Sequence, residues 1–492
     1  MLSKIQQTAK HSLIIAFSRV SSKLVGFILL PIYTSKIPVS DYGVLGILEI
    51  IEILGVHIFS IGLHQGLFRW YSLSNSEREK RNIFTTVTLF LLLIAIMSFG
   101  IAFLFKKEMS ILIFSTYQYQ DFLLYTLAAI HFTNIAKIAQ TLLRIKENTV
   151  AYSISFIVQF ILSLVFNIYF IVVLNMGVEG ILLAKVLSTG FIVLLFIPYF
   201  IPKLSFNLNK KLLAEMLAFS SPFIITAIGV TILNLGDRYL LMKFTSLKEV
   251  GLYSLGYKYS NFLKIFVVDA FALSLPIIGW KISTNDEEAK QYFSLIFTYF
   301  SFILIWLGLF VTSFSKGVIH LLALNKEYWD SYQVVPFLVL GIIFAGMQQI
   351  FNFVLQIPKK TGVISIIVLI TAVFNISFNF LFIPHWGMVA AAIIAFSSKL
   401  LGVIMGYLNV KKYYPVRFDI KRVLILLITG VSLFLFTGLF DQLKFWERIW
   451  IKLVIIFSFP IILYFLKFFK KNELNVFRYY LKKITLSNKK LF

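Results

Sequence analysis

The 492-residue chain contains no cysteine. That excludes disulfides, thiol nucleophiles and thiolate metal ligands. Charge is scarce as well: 14% of residues are Asp, Glu, Lys or Arg, against about 25% in soluble domains. Acid is the scarcer sign, with 22 Asp and Glu facing 46 Lys and Arg. The six histidines, at 11, 57, 64, 131, 320 and 385, show no metal-ligand spacing. There is no HExxH, no GxxxxGK[ST], no GxSxG and no GxGxxG. Nothing here supports catalysis, a metal or a cofactor, so the expectation is a protein that is not an enzyme. Work against a gradient would need coupling to H+ or Na+, or downstream consumption of the product. No cleavable signal peptide is expected, because the polar N-terminus leads into an apolar run too long for a signal core.

What the chain has in abundance is hydrocarbon. It is 59% hydrophobic, with a mean hydropathy of +0.87. A helix needs roughly 20 mainly apolar residues to cross a bilayer. By that measure spans are expected near 12–35, 43–68, 83–105, 120–143, 149–174, 178–200 and 213–243. Others follow near 249–276, 291–315, 331–356, 361–383, 387–410, 421–440 and 448–468. The total is fourteen, in an all-α integral membrane protein. The fourth is the weakest, since Asp121, His131, Asn134 and Lys137 interrupt it.

The net charge of +24 invites a nucleic-acid reading, but topology explains it better. If the N-terminus is cytoplasmic, alternate loops and the tail hold about 27 Lys and Arg, and the opposite loops about 9. That bias puts both termini in the cytoplasm and leaves no need for a nucleic-acid partner. The basic tail either anchors in solvent or touches anionic lipid headgroups.

The sequence also repeats. KENTVAYSISF (146–156) and FNIYF (166–170) match KKTGVISIIVL (359–369) and FNFLF (378–382). A second echo pairs SDYGVLGIL (40–48) with KEVGLYSLG (248–256), at an offset near 208. Two six-helix lobes are expected, 1–205 and 206–415, followed by two extra helices (416–470) and a basic tail (471–492). An even number of spans per lobe makes the repeats parallel, related by a pseudo-twofold axis along the membrane normal. In such transporter architectures the substrate site lies between the lobes.

Charges inside spans cost about 2.5–3.5 kcal/mol each at the bilayer centre, so they face a protein interior or a wet cavity. The first span carries Arg19 and Lys23, four apart and on one face; the second carries Glu49 and Glu52, three apart. By helical rise, Lys23 and Glu52 reach similar depth, about 16 Å and about 14 Å from opposite edges. They form either an ion pair locking two helices or part of a cavity lining. Lys258, Lys264 and Asp269 lie on the eighth span, with Lys258 and Asp269 expected on one face and Asn261 on the face of Lys264. Lys185 and Lys399 occupy similar repeat positions, as a cation pair in the cleft or as snorkelling side chains. The adjacent Asp237 and Arg238 cannot share a face and read as a polar anchor or gate near the outer edge. Gln349, Asn352 and Gln356 share a face suited to helix–helix hydrogen bonds or to sugar hydroxyls. Arg19, Lys23, Lys258, Lys264, Lys185 and Lys399 are thus the candidate cavity cations. Glu49, Glu52, Asp269, Asp237 and Arg238 are candidates for ion pairing or ion coupling. A cationic cleft favours phosphate or pyrophosphate.

The chain resembles the Wzx-type polysaccharide flippases of the multidrug/oligosaccharidyl-lipid/polysaccharide exporter superfamily. The resemblance rests on the basic first helix ending LLPIYTSKI, on SDYG (40–43), and on Gly62 with Arg69 before a basic loop. LGDRYLL (235–241), the FN repeats and the 6+6+2 layout complete it. It implies a MATE-like fold, with alternating access between two lobes around a cationic cavity. It also implies translocation of undecaprenyl-pyrophosphate-linked oligosaccharide repeat units across the bacterial inner membrane, for O-antigen or capsule. A polysaccharide polymerase and a chain-length regulator are the implied partners. Glu49 and Glu52 have no counterpart in a common family pattern. Two other transport readings compete. One is an ion-coupled organic-cation antiporter, which would want an acidic or aromatic cavity. The other is a peptidoglycan-precursor flippase, which the sequence separates poorly from the first reading.

Overall fold

The computed structural model describes residues 27–470 apart from 147, 205–208 and 284. Helix is the regular structure found throughout them, as a chain in lipid requires when every backbone N–H and C=O must be satisfied internally. The helices are α1 (Leu30–Lys36), α2 (Val39–Ser60), α3 (Leu63–Leu73), α4 (Glu77–Leu104), α5 (Lys106–Phe114), α6 (Gln120–Ile145), α7 (Thr149–Ile168) and α8 (Gly177–Phe200). They continue with α9 (Lys210–Phe244), α10 (Leu247–Leu263), α11 (Asp269–Ile282), α12 (Asp286–Leu322), α13 (Val335–Gln356), α14 (Thr361–Tyr413), α15 (Ile420–Gly438) and α16 (Phe445–Phe465). Starts are set by side chains that accept from exposed backbone N–H groups: Asn148 for α7, Asn209 for α9, Ser246 for α10, Asn285 for α12 and Asp419 for α15.

Eleven helical stretches among the described residues are long and apolar enough to cross a membrane. The exact count of fourteen does not follow from them, since the first expected span falls largely outside the described residues. Thr361–Tyr413 is continuous by hydrogen bonding but breaks at Gly387, whose φ of 53° and ψ of −136° are non-helical. The Glu249 carboxylate sits at that break and accepts from the Met388 backbone N–H at 2.6 Å.

The weakest expected span is a well-buried helix, α6. Its polar residues point into the bundle: His131 and Asn134 are buried, and His131 Nε2 lies 2.7 Å from Ser98 Oγ. A lipid-facing helix cannot carry such groups, and an interior one can. By contrast, only 11% of the α7 apolar window is buried, which makes α7 peripheral.

The central packing event is the contact between α2 and α10, the two segments of the 208-residue echo. A methyl group on Gly43 would lie 1.9 Å from the Leu247 carbonyl oxygen, and one on Gly251 would lie 2.1 Å from the Val39 carbonyl oxygen. Shifting each partner by the repeat offset exchanges the two contacts. Such reciprocity is what a twofold relation between repeats produces. Gly46 then meets Ser254, so residue numbers rise together and the two helices cross in parallel.

The last two helices dock on α12 through buried polar contacts. Lys452 donates to the Ser313 carbonyl at 2.7 Å and pairs with Asp441 at 2.5 Å. Trp306 Nε1 donates to the Ile456 carbonyl at 3.0 Å.

Candidate functional site

Following the α2–α10 crossing inward leads to its charges. Glu49 lies ten residues into α2 and Lys258 eleven residues into α10, so both sit about 15–17 Å from the shared helix start. Lys258 Nζ lies 2.8 Å from one Glu49 oxygen, and Arg238 of α9 donates to the other at 3.2 Å. One carboxylate therefore holds two cations, a formal charge of +1 for these three groups, with the Asp237 carboxylate beside Arg238. Arg238 is 1% exposed and lies over the Tyr257 ring at 4.8 Å; Lys258 lies 5.0 Å from the centre of the Tyr42 ring. These faces are electron-rich, and they stabilise the cations without neutralising them. Arg238 Nε has no hydrogen-bond partner among the described residues.

Asp237 faces elsewhere, as adjacency in a helix requires. Its carboxylate accepts from the Arg238 backbone N–H at 2.9 Å and from the Tyr253 hydroxyl. Asp237 and Arg238 thus bind α9 to both helices of the crossing.

The remaining candidates form separate pairs. Glu52 pairs with Lys185 of α8. Lys399 of α14 donates to the side-chain oxygen of Asn234 at 2.9 Å, an uncharged partner. Lys264 pairs with Asp269 at 2.9 Å. Five residues span about 500° on a regular α-helix, which leaves those two side chains about 140° apart. A π-helical turn, Lys264–Val268, separates α10 from α11 and brings them to one side. The same turn breaks the register that would have put Lys258 and Asp269 on one face, and Lys258, which precedes it, pairs with Glu49. Arg19 and Lys23 lie outside the described residues.

On α13, Gln356 donates to the Asn352 carbonyl at 3.2 Å, a bond within its own helix. Gln349 is exposed, and Asn352 Oδ1 is buried with no partner among the described residues. Gly402 and Gly406 allow α14 to approach Gln348 and Phe351 of α13 closely.

Sequence reasoning missed Asn234, Tyr42, Tyr253 and Tyr257. Partner choice here joins Glu49 to Arg238, 189 positions away, and to the still more distant Lys258, and spacing carries no signal at that range.

A helical membrane bundle whose two halves meet along a reciprocal crossing, with cations at half-depth, has the fold of the MATE-like exporters and flippases. Residues 8–279, more than half of the chain, match the family described as polysaccharide biosynthesis protein, and the chain belongs to that family. It is similar in structure to the lipid II flippase MurJ in an inward closed conformation. That match has a TM-score of 0.75 and 16% identity, over 92% of this chain and 99% of that one. A multidrug resistance MATE family transporter of the MOP superfamily, in an inward-facing conformation, matches with a TM-score of 0.66 at 13% identity. That match covers 81% of this chain and 98% of the other. At these identities the likeness defines the fold alone. An uncharacterized membrane protein, MJ1068 of Methanocaldococcus jannaschii, is 24% identical over 225 residues, 45% of this chain. The match spans only 44% of that relative's length. Family and fold together make this a multi-pass membrane protein of the polysaccharide biosynthesis family, with a MATE-like fold.

Proposed function

We propose that the protein translocates undecaprenyl-pyrophosphate-linked oligosaccharide repeat units from the cytoplasmic to the outer leaflet of the bacterial inner membrane. The observation that carries this reading is the Lys258–Glu49–Arg238 group, two cations on one carboxylate at half-depth of the crossing between the halves. A pyrophosphate crossing hydrocarbon needs compensating positive charge where water is scarcest. The polyprenyl tail needs none and can stay in lipid. Membership of a polysaccharide biosynthesis family agrees with that cargo and with an O-antigen or capsule pathway.

On this reading the lobes 1–205 and 206–415 alternate access about the crossing, and both termini are cytoplasmic. Lys399, whose hydrogen-bond partner is the neutral Asn234, supplies a further cation. Arg19 and Lys23, which lie outside the described residues, are proposed as further cations for the substrate. Glu52 and Asp269, each already paired to a lysine, are the candidates for H+ or Na+ coupling. A polysaccharide polymerase and a chain-length regulator act downstream.

The test is the lipid-linked intermediate pool in cells depleted of the protein. Oligosaccharide on undecaprenyl pyrophosphate should build up on the cytoplasmic face while surface polysaccharide disappears, and a Lys258→Ala copy should not restore export. Normal polysaccharide with raised sensitivity to cationic drugs would make the protein an organic-cation exporter instead. Build-up of the peptidoglycan precursor would transfer the reading to that cargo.

A further inference from the structure

Arg69 plays no part in the crossing, yet its surroundings are built. It lies on α3, at the end of the bundle that the basic loops place in the cytoplasm. Its guanidinium stacks on the Phe219 ring at 4.5 Å and the Trp70 ring at 5.2 Å, and those two rings meet edge to face at 5.4 Å. Arg69 is exposed and forms no ion pair with a carboxylate among the described residues, so its donor edge is open to a ligand. It borders an open hollow of about 610 Å³ between α3, the start of α4 and the start of α9. Asn82, Glu79, Lys211 and Glu215 also line that hollow. Glu79 accepts from Ser74 at 2.8 Å. Lys211 and Glu215 are exposed and project from the first turns of α9.

A second hollow, of about 390 Å³, adjoins the first and shares Arg69 and Leu73 with it. Its walls are mainly apolar, from Phe68, Leu73 and Phe219, and Leu73 is 71% exposed. A polar pocket and an apolar groove meeting at one arginine match a ligand with a phosphate at the junction. On one side of that phosphate lies a hydroxyl-rich headgroup, and on the other a hydrocarbon chain. An arginine fork suits phosphate oxygens, and carboxylates beside it accept from hydroxyls rather than bind phosphate. Glu79 and Glu215 add nothing to a phosphate but accept from sugar hydroxyls, so a sugar on the pyrophosphate strengthens binding there.

We infer that this paired hollow is a reception site for a prenyl-pyrophosphate-linked sugar, occupied before the headgroup reaches the charges at half-depth. The inference rests on the proposed function for its substrate class, and it adds a second, separate place of recognition at the bundle end.

The experiment measures dissociation constants of the full chain in lipid nanodiscs by native mass spectrometry. The probes are a short-chain prenyl-pyrophosphoryl monosaccharide, the same prenyl pyrophosphate without sugar, and phosphatidylglycerol. Arg69→Ala should weaken both pyrophosphates about tenfold, which corresponds to about 1.4 kcal/mol, and leave phosphatidylglycerol unchanged. Glu215→Gln, at an exposed position where folding is not at stake, should weaken only the sugar-bearing probe, by about threefold. If the wild type binds the sugar probe and Lys258→Ala weakens it while Arg69→Ala and Glu215→Gln do not, the reception site is wrong and the flippase reading stands. If the wild type prefers phosphatidylglycerol or ignores both pyrophosphates, the reception site and the flippase reading fall together.

Discussion

The two halves of the chain meet at both ends of the bundle, and the two meetings are built differently. At one end, α2 and α10 touch through backbone: Gly43 and Gly251 each rest against a carbonyl oxygen of the other helix, closer than any side chain permits. At the other end, α3 meets α9 where Gly62 and Gly66 face Ser220 and Met216. Gly62 has a φ of +65° and a backbone neighbour, so its position demands glycine. Gly66 faces only side-chain atoms, Ser220 Oγ at 3.0 Å and Met216 Cε at 3.3 Å from where a methyl would sit. A contact made by backbone cannot yield to a larger residue, whereas one made by a flexible side chain can. The first end is a rigid seam, while the second is fixed at Gly62 and adjustable one turn on, at Gly66. The charged group Glu49–Lys258–Arg238 lies between them, and the Arg69 pocket lies beside the second end.

This contrast is easiest to break at the rigid seam. Gly43→Val or Gly251→Val should cost more than the usual 1–3 kcal/mol of overpacking (about that range), because a backbone oxygen cannot move aside. Transport should be lost, with a lowered melting temperature in detergent. Wild-type melting and transport for both variants would show that the halves do not pack there.

Next in size is Glu49→Gln, which leaves Arg238 and Lys258 facing each other with no carboxylate between them. Removing one partner from a buried charge group costs about 3–5 kcal/mol. Glu49 is 29% exposed, so the loss should fall at the low end, read as melting temperature at fixed lipid composition. An unchanged melting temperature would mean that water already screens the two cations.

Lys399→Met separates stability from function. The lysine's partner is the neutral Asn234, so stability should change by about 1 kcal/mol or less. Export of lipid-linked oligosaccharide should nevertheless fall severalfold if the charge serves the substrate. Full export would make Lys399 a packing residue. The smallest effect should be Gly66→Ala, under about 1 kcal/mol, since Ser220 and Met216 can rotate away. A loss as large as that at Gly43 would erase the distinction between the two ends.

Much of this was legible in the chain itself. Composition set the membrane class, and the echo of SDYG in KEVG predicted two related units. The glycines of that echo are the residues that meet. The intramembrane charges were legible as a set, because any ionisable residue in an apolar run stands out. Their pairing was not. Lys258 and Asp269 were expected on one face, and a π-helical turn that no local pattern marks moved them apart. Arg238, expected as an anchor or gate near the outer edge, is a half-depth partner of Glu49. The fourth expected span looked weak from its polar residues, and its interior position explains why it tolerates them.

By itself, then, the sequence determined that this protein lies in a membrane, is helical and is built from a repeat. Hydrophobicity and periodicity act locally along the chain, and each residue reports its own preference. Which cation met which carboxylate, and where Arg69 found its aromatic walls, was decided only by tertiary structure. Those contacts depend on how helices far apart in sequence approach, rotate and break. A one-residue change of register within a helix is enough to re-aim a side chain by about 100°.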